Sequence, residues 1–463
     1  MIAPAAAVSP AAAASPLAAA SPAPAAKPAV APSPSASPAV AASPSAVPVQ
    51  PVASVPFKQM YQQDIRHSGR SQYTGPRQAR LLRRFDMGAP ENIPSDAATP
   101  RADVQSSSVI GPDGTIYISD FPGVLFALRD SATASDQLEA VWRFHPPTAS
   151  SFHATPALSS DGSTIYLGFA SGGFSGPSAA TLYALNTAST GQAQVKWMAD
   201  LGATRVMASP TVGPDGTVYV ATSDGHLFAV ASDGTARWSV QTGATIKSAP
   251  AVGADGTIYH ATSDGNMYAV SPQGQIKWMF TFADHLGPTP LVIATPTAAG
   301  GGAGGGANGI GSGASPTIGN DGTIFIGANN SNMYAVTTDG NLKWLFEAQR
   351  ELAGIWTTPA LSADGSTIYF GANAGGIYAL NTADGSKKWQ FPVYGSIYAS
   401  STLDGQGSLY TGTTIEHLYA VNGTTGEQVW DFDVQNQVWC APSLRSDGTL
   451  VIADRSGLVQ VIG

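Results

Sequence analysis

The sequence predicts an all-β protein, an eight-bladed β-propeller of four-stranded antiparallel blades that an N-terminal strand closes. Three observations predict this fold. A unit of four short strand-like segments repeats along the chain, an Asp-Gly turn marks each copy, and a tryptophan ends the fourth segment of seven copies. Repeats of about 40 to 45 residues with four strands each are typical of propellers, because one small sheet buries both faces only when neighbours stack on it.

Residues 248–280, SAPAVGADGTIYHATSDGNMYAVSPQGQIKWMF, show one unit. Its apolar segments are too short for helices and are rich in β-branched and aromatic residues, which favours strands. The predicted strands cover 251–252, 257–260, 267–270 and 276–280. A glycine stands in each turn between them, where tight hairpins need a positive φ. The unit is therefore an antiparallel meander.

The turns and the tryptophans give the number of copies. The turns lie at Asp113, Asp161, Asp215, Asp255, Asp321, Asp364 and Asp447, with a degenerate version at Asp404. The tryptophans are Trp142, Trp197, Trp238, Trp278, Trp344, Trp389 and Trp430. The last copy supplies only three strands, and ARLLRRFDMG at 79–88 resembles the missing fourth, with Arg84 and Phe85 near the tryptophan slot. We therefore expect this segment to close the ring.

Composition divides the chain into a spacer and one large domain. Residues 1–57 are rich in Ala, Pro and Ser, with Lys27 as the only charged residue, so we expect a disordered stalk. Residues 58–463 form the predicted propeller. The Gly-rich stretch within 285–313 lacks the Gly-Lys-Ser/Thr ending of a phosphate-binding loop, and we expect a flexible insertion there.

We expect an extracytoplasmic monomer, located in the periplasm, at the cell surface or in the medium. The sequence shows neither a secretory signal pattern nor an apolar run long enough to cross a bilayer. An exported protein whose signal has been removed and a cytoplasmic protein are both compatible with this pattern. The single cysteine, Cys440, permits no internal disulfide and fits either compartment, and it is expected to be a packing residue.

Charge and motifs exclude several classes of function. Lys and Arg number 22 against 31 Asp and Glu, a net charge of -9, so the average surface repels phosphate and argues against nucleic acid as a partner. Each Asp-Gly pair fits a hairpin turn without metal, and no metal site is expected. No serine lies in a Gly-x-Ser-x-Gly elbow, so hydrolase chemistry has no local support.

Two stretches carry a family resemblance. AVNGTTGEQVW at 420–430 matches the tryptophan-docking motif of quinoprotein propellers, and ALNTADGSKKW at 379–389 matches it with Asp384 in place of threonine. The lead-in QMYQQDIRHSGRSQYTGP at 59–76 is similar to that of many such proteins. From residue 58 onward the chain resembles the PQQ-like β-propeller repeat family. The resemblance implies that each docking tryptophan packs between adjacent blades.

The family contains enzymes and proteins that are not enzymes. The resemblance implies that its quinoprotein dehydrogenases hold pyrroloquinoline quinone (PQQ) on the propeller axis, with a vicinal disulfide, a Ca²⁺ and an Asp base. One cysteine excludes a vicinal disulfide here, so no cofactor is expected, with PQQ kept as an alternative. Other members present loops to protein partners in outer-membrane assembly, although this chain lacks their lipid-anchor cysteine.

One register position varies where its neighbours are uniform. With the blades aligned on the proline of the first strand, the position four before it is apolar in seven blades and the position two before it is small. The position three before it holds Gln105, His153, Met207, Lys247, Gly313, Trp356, Tyr398 and Trp439. First strands line the central channel, so these side chains are predicted to converge at its mouth as a ligand site. The alternative is a channel plug or a solvated rim.

These observations predict a non-catalytic, exported binding or scaffold propeller. Its partner would be a protein, or a small ligand or glycan held at the channel mouth. Two alternatives remain open, a PQQ-dependent dehydrogenase-like quinoprotein and a carbohydrate-binding or sensor propeller.

Overall fold

We analysed a computed structural model of the chain. The described residues are 58–92, 103–121, 123–146, 150–151, 154–171, 179–202, 204–282, 312–348, 354–373 and 375–463. The predicted stalk at 1–57 and nearly all of the predicted Gly-rich insertion lie outside them.

The described residues form thirty-two β-strands and no helix. The first strand is β1 (Leu81–Asp86). Blade 1 contains β2 (Val109–Ile110), β3 (Ile116–Ser119), β4 (Leu125–Asp130) and β5 (Leu138–Phe144). Blade 2 contains β6 (Ser150–Ser151), β7 (Ala157–Leu158), β8 (Thr164–Ser171) and β9 (Ala179–Asp200). Blade 3 contains β10 (Thr211–Val212), β11 (Val218–Ala221), β12 (His226–Val230) and β13 (Ala236–Gln241). Blade 4 contains β14 (Ala251–Val252), β15 (Ile258–Ala261), β16 (Asn266–Val270) and β17 (Ile276–Thr281).

The second half of the chain repeats the same order. Blade 5 contains β18 (Thr317–Ile318), β19 (Ile324–Gly327), β20 (Asn332–Val336) and β21 (Leu342–Glu347). Blade 6 contains β22 (Ala360–Leu361), β23 (Thr367–Ala372), β24 (Gly376–Asn381) and β25 (Lys387–Phe391). Blade 7 contains β26 (Thr402–Leu403), β27 (Ser408–Gly412), β28 (His417–Asn422) and β29 (Gln428–Asp433). Blade 8 contains β30 (Ser443–Leu444), β31 (Leu450–Ala453) and β32 (Leu458–Ile462).

The sheets confirm the predicted eight-bladed propeller. Six blades are separate four-stranded antiparallel sheets, and five of these, blades 3 to 7, are meanders such as β14-β15-β16-β17. In blade 8 the outer strand is β1, which pairs antiparallel with β32 through Arg84 opposite Gln460 and Phe85 opposite Val459. The N-terminal strand therefore closes the ring, as the sequence predicts.

Blades 1 and 2 depart from this regularity. Strand β9 runs continuously through the outer hairpin of blade 2, with Gly191 at φ 72°. Strand β5 pairs in parallel with β9, with Trp142 opposite Gly191, so the two blades share one sheet.

Aspartate side chains shape the inner hairpin turns through hydrogen bonds to a following residue. In blade 4, Asp255 Oδ1 accepts a hydrogen bond from the Thr257 amide at 3.0 Å, and Oδ2 accepts one from Thr257 Oγ1 at 2.7 Å. Gly256 follows with φ 79°. Equivalent aspartate-to-amide bonds form at Asp215 and Asp321.

Seven tryptophans lie at the blade boundaries. Trp278 is buried, its Nε1 donates to the Thr338 carbonyl of blade 5 at 2.8 Å, and its ring lies 5.7 Å from that of Tyr259. A Cβ on Gly340 would lie 2.8 Å from the Trp278 ring, so the next blade approaches closely only because that residue is glycine. The other Nε1 donors and their carbonyl acceptors are Trp142 to Thr187, Trp197 to Ser232, Trp238 to Pro272, Trp344 to Thr382, Trp389 to Gly423 and Trp430 to Pro76. The core accordingly lies between neighbouring sheets.

Candidate functional site

One end of the central channel is closed by the lead-in segment, residues 58–76, which we call the N-terminal belt. The belt runs around the axis and accepts main-chain hydrogen bonds from the innermost strands of successive blades. The donors and acceptors are Ile110 to Lys58, Leu158 to Gln59, Val252 to Ile65, Ile318 to Arg66, Leu361 to Ser68 and Leu403 to Gly69, at 2.7 to 3.0 Å. The channel is therefore blind at this end.

Above the belt lies a cavity of about 250 Å³ that residues from all eight blades line. We call it the axial bowl. Its lining is Tyr61, Gln105, Ser107, Thr155, Met207, Ser209, Lys247, Ala249, Gly313, Ser315, Trp356, Tyr398, Ser400, Trp439 and Ala441. The structure thus brings together every member of the variable register position except His153, which lies outside the described residues.

The bowl has an open rim and a buried floor. The variable position forms the rim, where the Trp356 side chain is 48% exposed. The position immediately before the aligned proline forms the floor, where Ser107 and Ser400 are each 2% exposed. A ligand that enters therefore passes from solvent to a site that water reaches poorly.

Three aromatic side chains make up one side of the rim, which we call the aromatic wall. They come from consecutive blades, Trp356 from blade 6, Tyr398 from blade 7 and Trp439 from blade 8. Ring centroids are 5.5 Å apart for Trp356 and Tyr398, with an interplanar angle of 55°. The Tyr398 and Trp439 centroids are 4.8 Å apart at 50°. The wall is therefore not one flat surface, because each ring plane is tilted by 50° or more from the plane of its neighbour.

An ion pair holds the end of the wall in place. The Arg455 guanidinium lies 4.2 Å from the centre of the Trp439 ring, a cation–π contact. Its Nε and Nη2 donate to the two Asp103 carboxylate oxygens at 2.8 and 2.6 Å, which raises the pKa of Arg455. Gln105 Nε2 donates to the same carboxylate at 3.1 Å. Blade 8 and blade 1 are thereby joined at the rim.

Lys247 is the one charged side chain among the described residues that line the bowl. It comes from blade 4, half a turn of the ring from Trp439 in blade 8. Lys247 is exposed, and no ion pair joins it to another described residue. Because Asp103 neutralises Arg455, Lys247 leaves the bowl with a positive charge opposite the aromatic wall.

The floor carries a ring of hydroxyl groups that the sequence analysis missed. The floor residues in blade order are Ser107, Thr155, Ser209, Ala249, Ser315, Thr358, Ser400 and Ala441. At most steps the amide of one blade donates to the hydroxyl of the next. These bonds run from Ser107 to Thr155, Thr155 to Ser209, Ala249 to Ser315, Ser315 to Thr358, Thr358 to Ser400 and Ala441 to Ser107, at 2.8 to 3.1 Å. The sequence does carry a signal for this ring, because serine or threonine occupies six of the eight aligned floor positions.

Tyr61 of the N-terminal belt reaches the floor from below. Its hydroxyl lies 3.0 Å from Thr358 Oγ1 and 2.9 Å from Ser400 Oγ. Burial raises the pKa of Tyr61, so the phenol stays neutral and can donate one hydrogen bond.

Two reactive groups near the bowl are sealed away from it. Lys58 is buried beneath the floor, its Nζ donates to Ser443 Oγ at 2.7 Å, and burial lowers its pKa to about 7. The Cys440 thiol is buried, lies 3.1 Å from the Ala453 carbonyl oxygen, and has its pKa raised by burial to about 11. A thiol with a raised pKa is a poor nucleophile, which fits the expected packing role.

Metal ligands do not cluster in the part of the chain that the structure describes. No three His, Cys, Asp or Glu side chains lie there in an arrangement that could hold an ion. The same residues include no helix of a length and apolarity suited to spanning a membrane.

Comparison with sequence families gives a match to a model described as outer membrane protein assembly factor BamB. The match covers residues 178–306 and 307–402. A curated relative, Protein Rv3035 of Mycobacterium tuberculosis, is 49% identical over 41 residues, 9% of this chain. The chain matches only about a tenth of the length of that relative.

Solved structures share the architecture at low sequence identity. BamB from Moraxella catarrhalis is 15% identical with a TM-score of 0.59, over 83% of this chain and 99% of that one. Quinohemoprotein alcohol dehydrogenase from Comamonas testosteroni is 14% identical with a TM-score of 0.65, over 90% and 83%. A europium-containing methanol dehydrogenase is 12% identical with a TM-score of 0.61, over 86% and 89%. At these identities the likeness concerns the fold.

The closed ring of eight blades, with a tryptophan at seven boundaries and a bowl on the axis, defines an eight-bladed β-propeller with tryptophan docking between blades. The family match and these structural neighbours agree with the docking motifs. The family match over residues 178–306 and 307–402 and the structural neighbours support a PQQ-like β-propeller repeat family for this chain.

Proposed function

We propose that this protein is a non-catalytic, extracytoplasmic binding or scaffold propeller whose axial bowl holds a small ligand or a group of a protein partner. The observation that carries the proposal is the contrast between the blades. Their boundaries repeat one tryptophan contact, whereas the rim position differs in every blade except for the two tryptophans. Variation confined to one converging position is what a binding site on a uniform scaffold requires.

The chemistry of the bowl supports binding. An aromatic wall supplies apolar contact area with little loss of side-chain freedom, and the floor and Lys247 supply hydrogen-bond donors that orient a ligand. The relatives described as outer membrane protein assembly factors support a protein partner and a location outside the cytoplasm. We therefore propose a location in the periplasm, at the cell surface or in the medium.

The bowl fits the quinone cofactor of the dehydrogenase relatives poorly. The described lining contains no carboxylate, so it offers neither an Asp base nor an oxygen set for Ca²⁺. The sequence contains one cysteine, so the vicinal disulfide of those enzymes cannot form. The donor set of this chain thus favours binding over quinone-dependent oxidation, which remains the alternative.

A paired assay separates the two functions. The intact protein is incubated with PQQ and Ca²⁺ and tested for dye reduction with alcohols, and a ligand library is screened by thermal shift in parallel. We expect no dye reduction, together with ligands that raise the melting temperature of the wild type but not of the Trp356→Ala/Trp439→Ala variant. Dye reduction that depends on PQQ, or ligands that stabilise both proteins equally, would contradict the proposed function.

A further inference from the structure

The hydroxyl ring of the floor is broken at two places. Ala249 and Ala441 stand where the other blades have serine or threonine. The amides that would donate to those missing hydroxyls belong to Ser209 and Ser400, and neither has an acceptor among the described residues. Both residues line the bowl and are nearly buried. A buried amide without an acceptor costs free energy comparable to a lost hydrogen bond, unless water or a ligand accepts it.

The intact steps of the ring also present donors. The hydroxyls of Ser107, Thr155, Ser209 and Ser315 each accept one amide hydrogen bond. None of these four hydroxyls donates to another described atom. A hydroxyl carries one proton, and here that proton remains free to be donated. The floor therefore offers O–H and N–H donors and suits a ligand rich in oxygen acceptors.

The two breaks lie half a turn of the ring apart, in different surroundings. The break at Ser209 and Ala249 belongs to blades 3 and 4, and Ala249 follows the rim residue Lys247 by two positions, so both residues of the break and Lys247 line the same side of the bowl. A carboxylate there would receive charge-assisted hydrogen bonds. The break at Ser400 and Ala441 lies below Tyr398 and Trp439, so a neutral oxygen there would belong to a ring packed against the aromatic wall.

The size, charge and shape of the bowl further restrict the class of ligand that fits it. At about 250 Å³ the bowl is smaller than the roughly 300 to 1,000 Å³ of sites that hold drug-sized molecules, which favours a single ring. The single positive charge of Lys247 matches a ligand with one negative charge. The wall lies on one side only and its rings are tilted by 50° and 55°, which suits the C–H face of a puckered ring better than a flat molecule between two parallel faces.

We infer that the axial bowl binds an acidic sugar, a hexuronate ring with one carboxylate. The carboxylate is held by the Ser209 amide and Lys247, the ring packs on the aromatic wall, and the Ser400 amide donates to a ring hydroxyl. This inference deepens the proposed function and rests on it, since it names the ligand class of the same site.

Titrations with small acidic sugars test the inference. The intrinsic tryptophan fluorescence of the intact protein is followed while glucuronate or galacturonate is added, with glucose and galactose as uncharged rings of the same shape and with PQQ and benzoate as flat carboxylates. We expect saturable quenching by at least one uronate, with affinity roughly tenfold higher than for its neutral counterpart, because the carboxylate gains charge-assisted hydrogen bonds.

Two alanine-to-serine variants localise the contacts. Ala249→Ser supplies the missing acceptor for the Ser209 amide, so it is expected to lower uronate affinity about tenfold while neutral sugars are unaffected. Ala441→Ser is the matched control at the other break and is expected to weaken acidic and neutral sugars alike. Lys247→Gln is expected to cause the same selective loss of uronate affinity as Ala249→Ser. It replaces Ala249→Ser in the test if that variant is unstable.

Several outcomes would overturn the inference. These are uronates that bind no more tightly than neutral sugars, flat carboxylates that bind more tightly than uronates, and equal effects of Ala249→Ser and Ala441→Ser on acidic sugars alone. The proposed function would survive any of them if another ligand still required Trp356 and Trp439. It fails separately if the double tryptophan variant retains all binding.

Discussion

At the scale of single residues, the docking tryptophans repeat a small set of contacts at the blade boundaries. Each indole lies near an aromatic residue of its own blade. Trp278 lies against the outer turn of the next blade and donates to the Thr338 carbonyl there, whereas Trp430 donates to the Pro76 carbonyl of the N-terminal belt. One residue type therefore supplies apolar area, a directed hydrogen bond and a close approach of two sheets. That combination explains why tryptophan recurs while the surrounding outer strands vary.

Truncation of a docking tryptophan should be costly. Replacing Trp278 by Ala removes a buried ring and leaves the Thr338 carbonyl without its donor, so we expect a loss of about 3 to 5 kcal/mol in the free energy of unfolding. Urea unfolding followed by circular dichroism measures this. Trp356→Ala is the matched control. The Trp356 side chain is 48% exposed, so its removal should lower the free energy of unfolding far less. Equal midpoints for Trp278→Ala and wild type would show that the boundary contact is unimportant.

A buried histidine makes stability depend on pH. His260 is fully buried, its ring stacks on Tyr268 at 5.6 Å and 14°, and burial lowers its pKa from 6.5 to about 3. Because the unfolded chain binds the proton more readily, the stability that neutral His260 contributes is complete above about pH 6.5 and is lost as the pH falls towards 3.

The His260→Phe variant tests this linkage. At pH 5 the wild type should have lost about 2 kcal/mol through His260 relative to pH 7, and the variant should lack that part of the decrease. Unfolding midpoints at pH 7, 6 and 5 for both proteins measure the difference. Parallel pH profiles would mean that His260 is not held in its neutral form.

At the scale of elements, the ring depends on two N-terminal segments with different structural roles. Strand β1 completes blade 8 and covers an edge that would otherwise be exposed. The N-terminal belt closes the channel and contacts the innermost strands of six blades through main-chain hydrogen bonds. A short stretch of chain thus connects blades that are far apart in the sequence.

A truncation series should separate these tasks. Removing residues 1–50 should leave the melting temperature unchanged, because it leaves the N-terminal belt and β1 whole. Removing 1–77 takes the belt away and should lower the melting temperature while the protein stays soluble. Removing 1–90 also takes β1, and the exposed edge of β32 should cause aggregation. Light scattering and calorimetry follow the series, and equal stability after the longest deletion would contradict closure by β1.

The sequence predicts the repeated elements well and the unrepeated ones poorly. The number of blades follows from the period of the repeat and from its turn residues, since each copy carries the same signals. The closure of the ring follows from ARLLRRFDMG, which resembles an outer strand. The path of the N-terminal belt could not be predicted, because the main-chain bonds that tie it to six blades leave no side-chain pattern in the sequence. The pairing of Arg455 with Asp103 spans 352 residues and becomes local only in the closed ring.

At the scale of the whole molecule, the contacts that stabilise the ring are separate from the proposed binding site. The free energy of packing is spread over blade boundaries that repeat one contact, and the axial bowl is built from side chains that the boundaries do not use. The rim could be found by aligning the blades, since its variation stands out against uniform neighbours. The floor escaped notice because serine and threonine are common beside turns and carry little signal alone.

We propose that the axial bowl binds the ligand, whereas the blade boundaries only stabilise the ring. The most direct test measures urea midpoint and ligand-induced thermal shift together for wild type, Trp278→Phe and Trp356→Ala/Trp439→Ala. We predict that Trp278→Phe lowers the urea midpoint and keeps the thermal shift. The double variant should keep its free energy of unfolding within about 1 kcal/mol of the wild type and lose the shift, because aromatic side chains at the centre of a site carry much of its affinity. A double variant that responds to every ligand as the wild type does would contradict a binding role for the axial bowl.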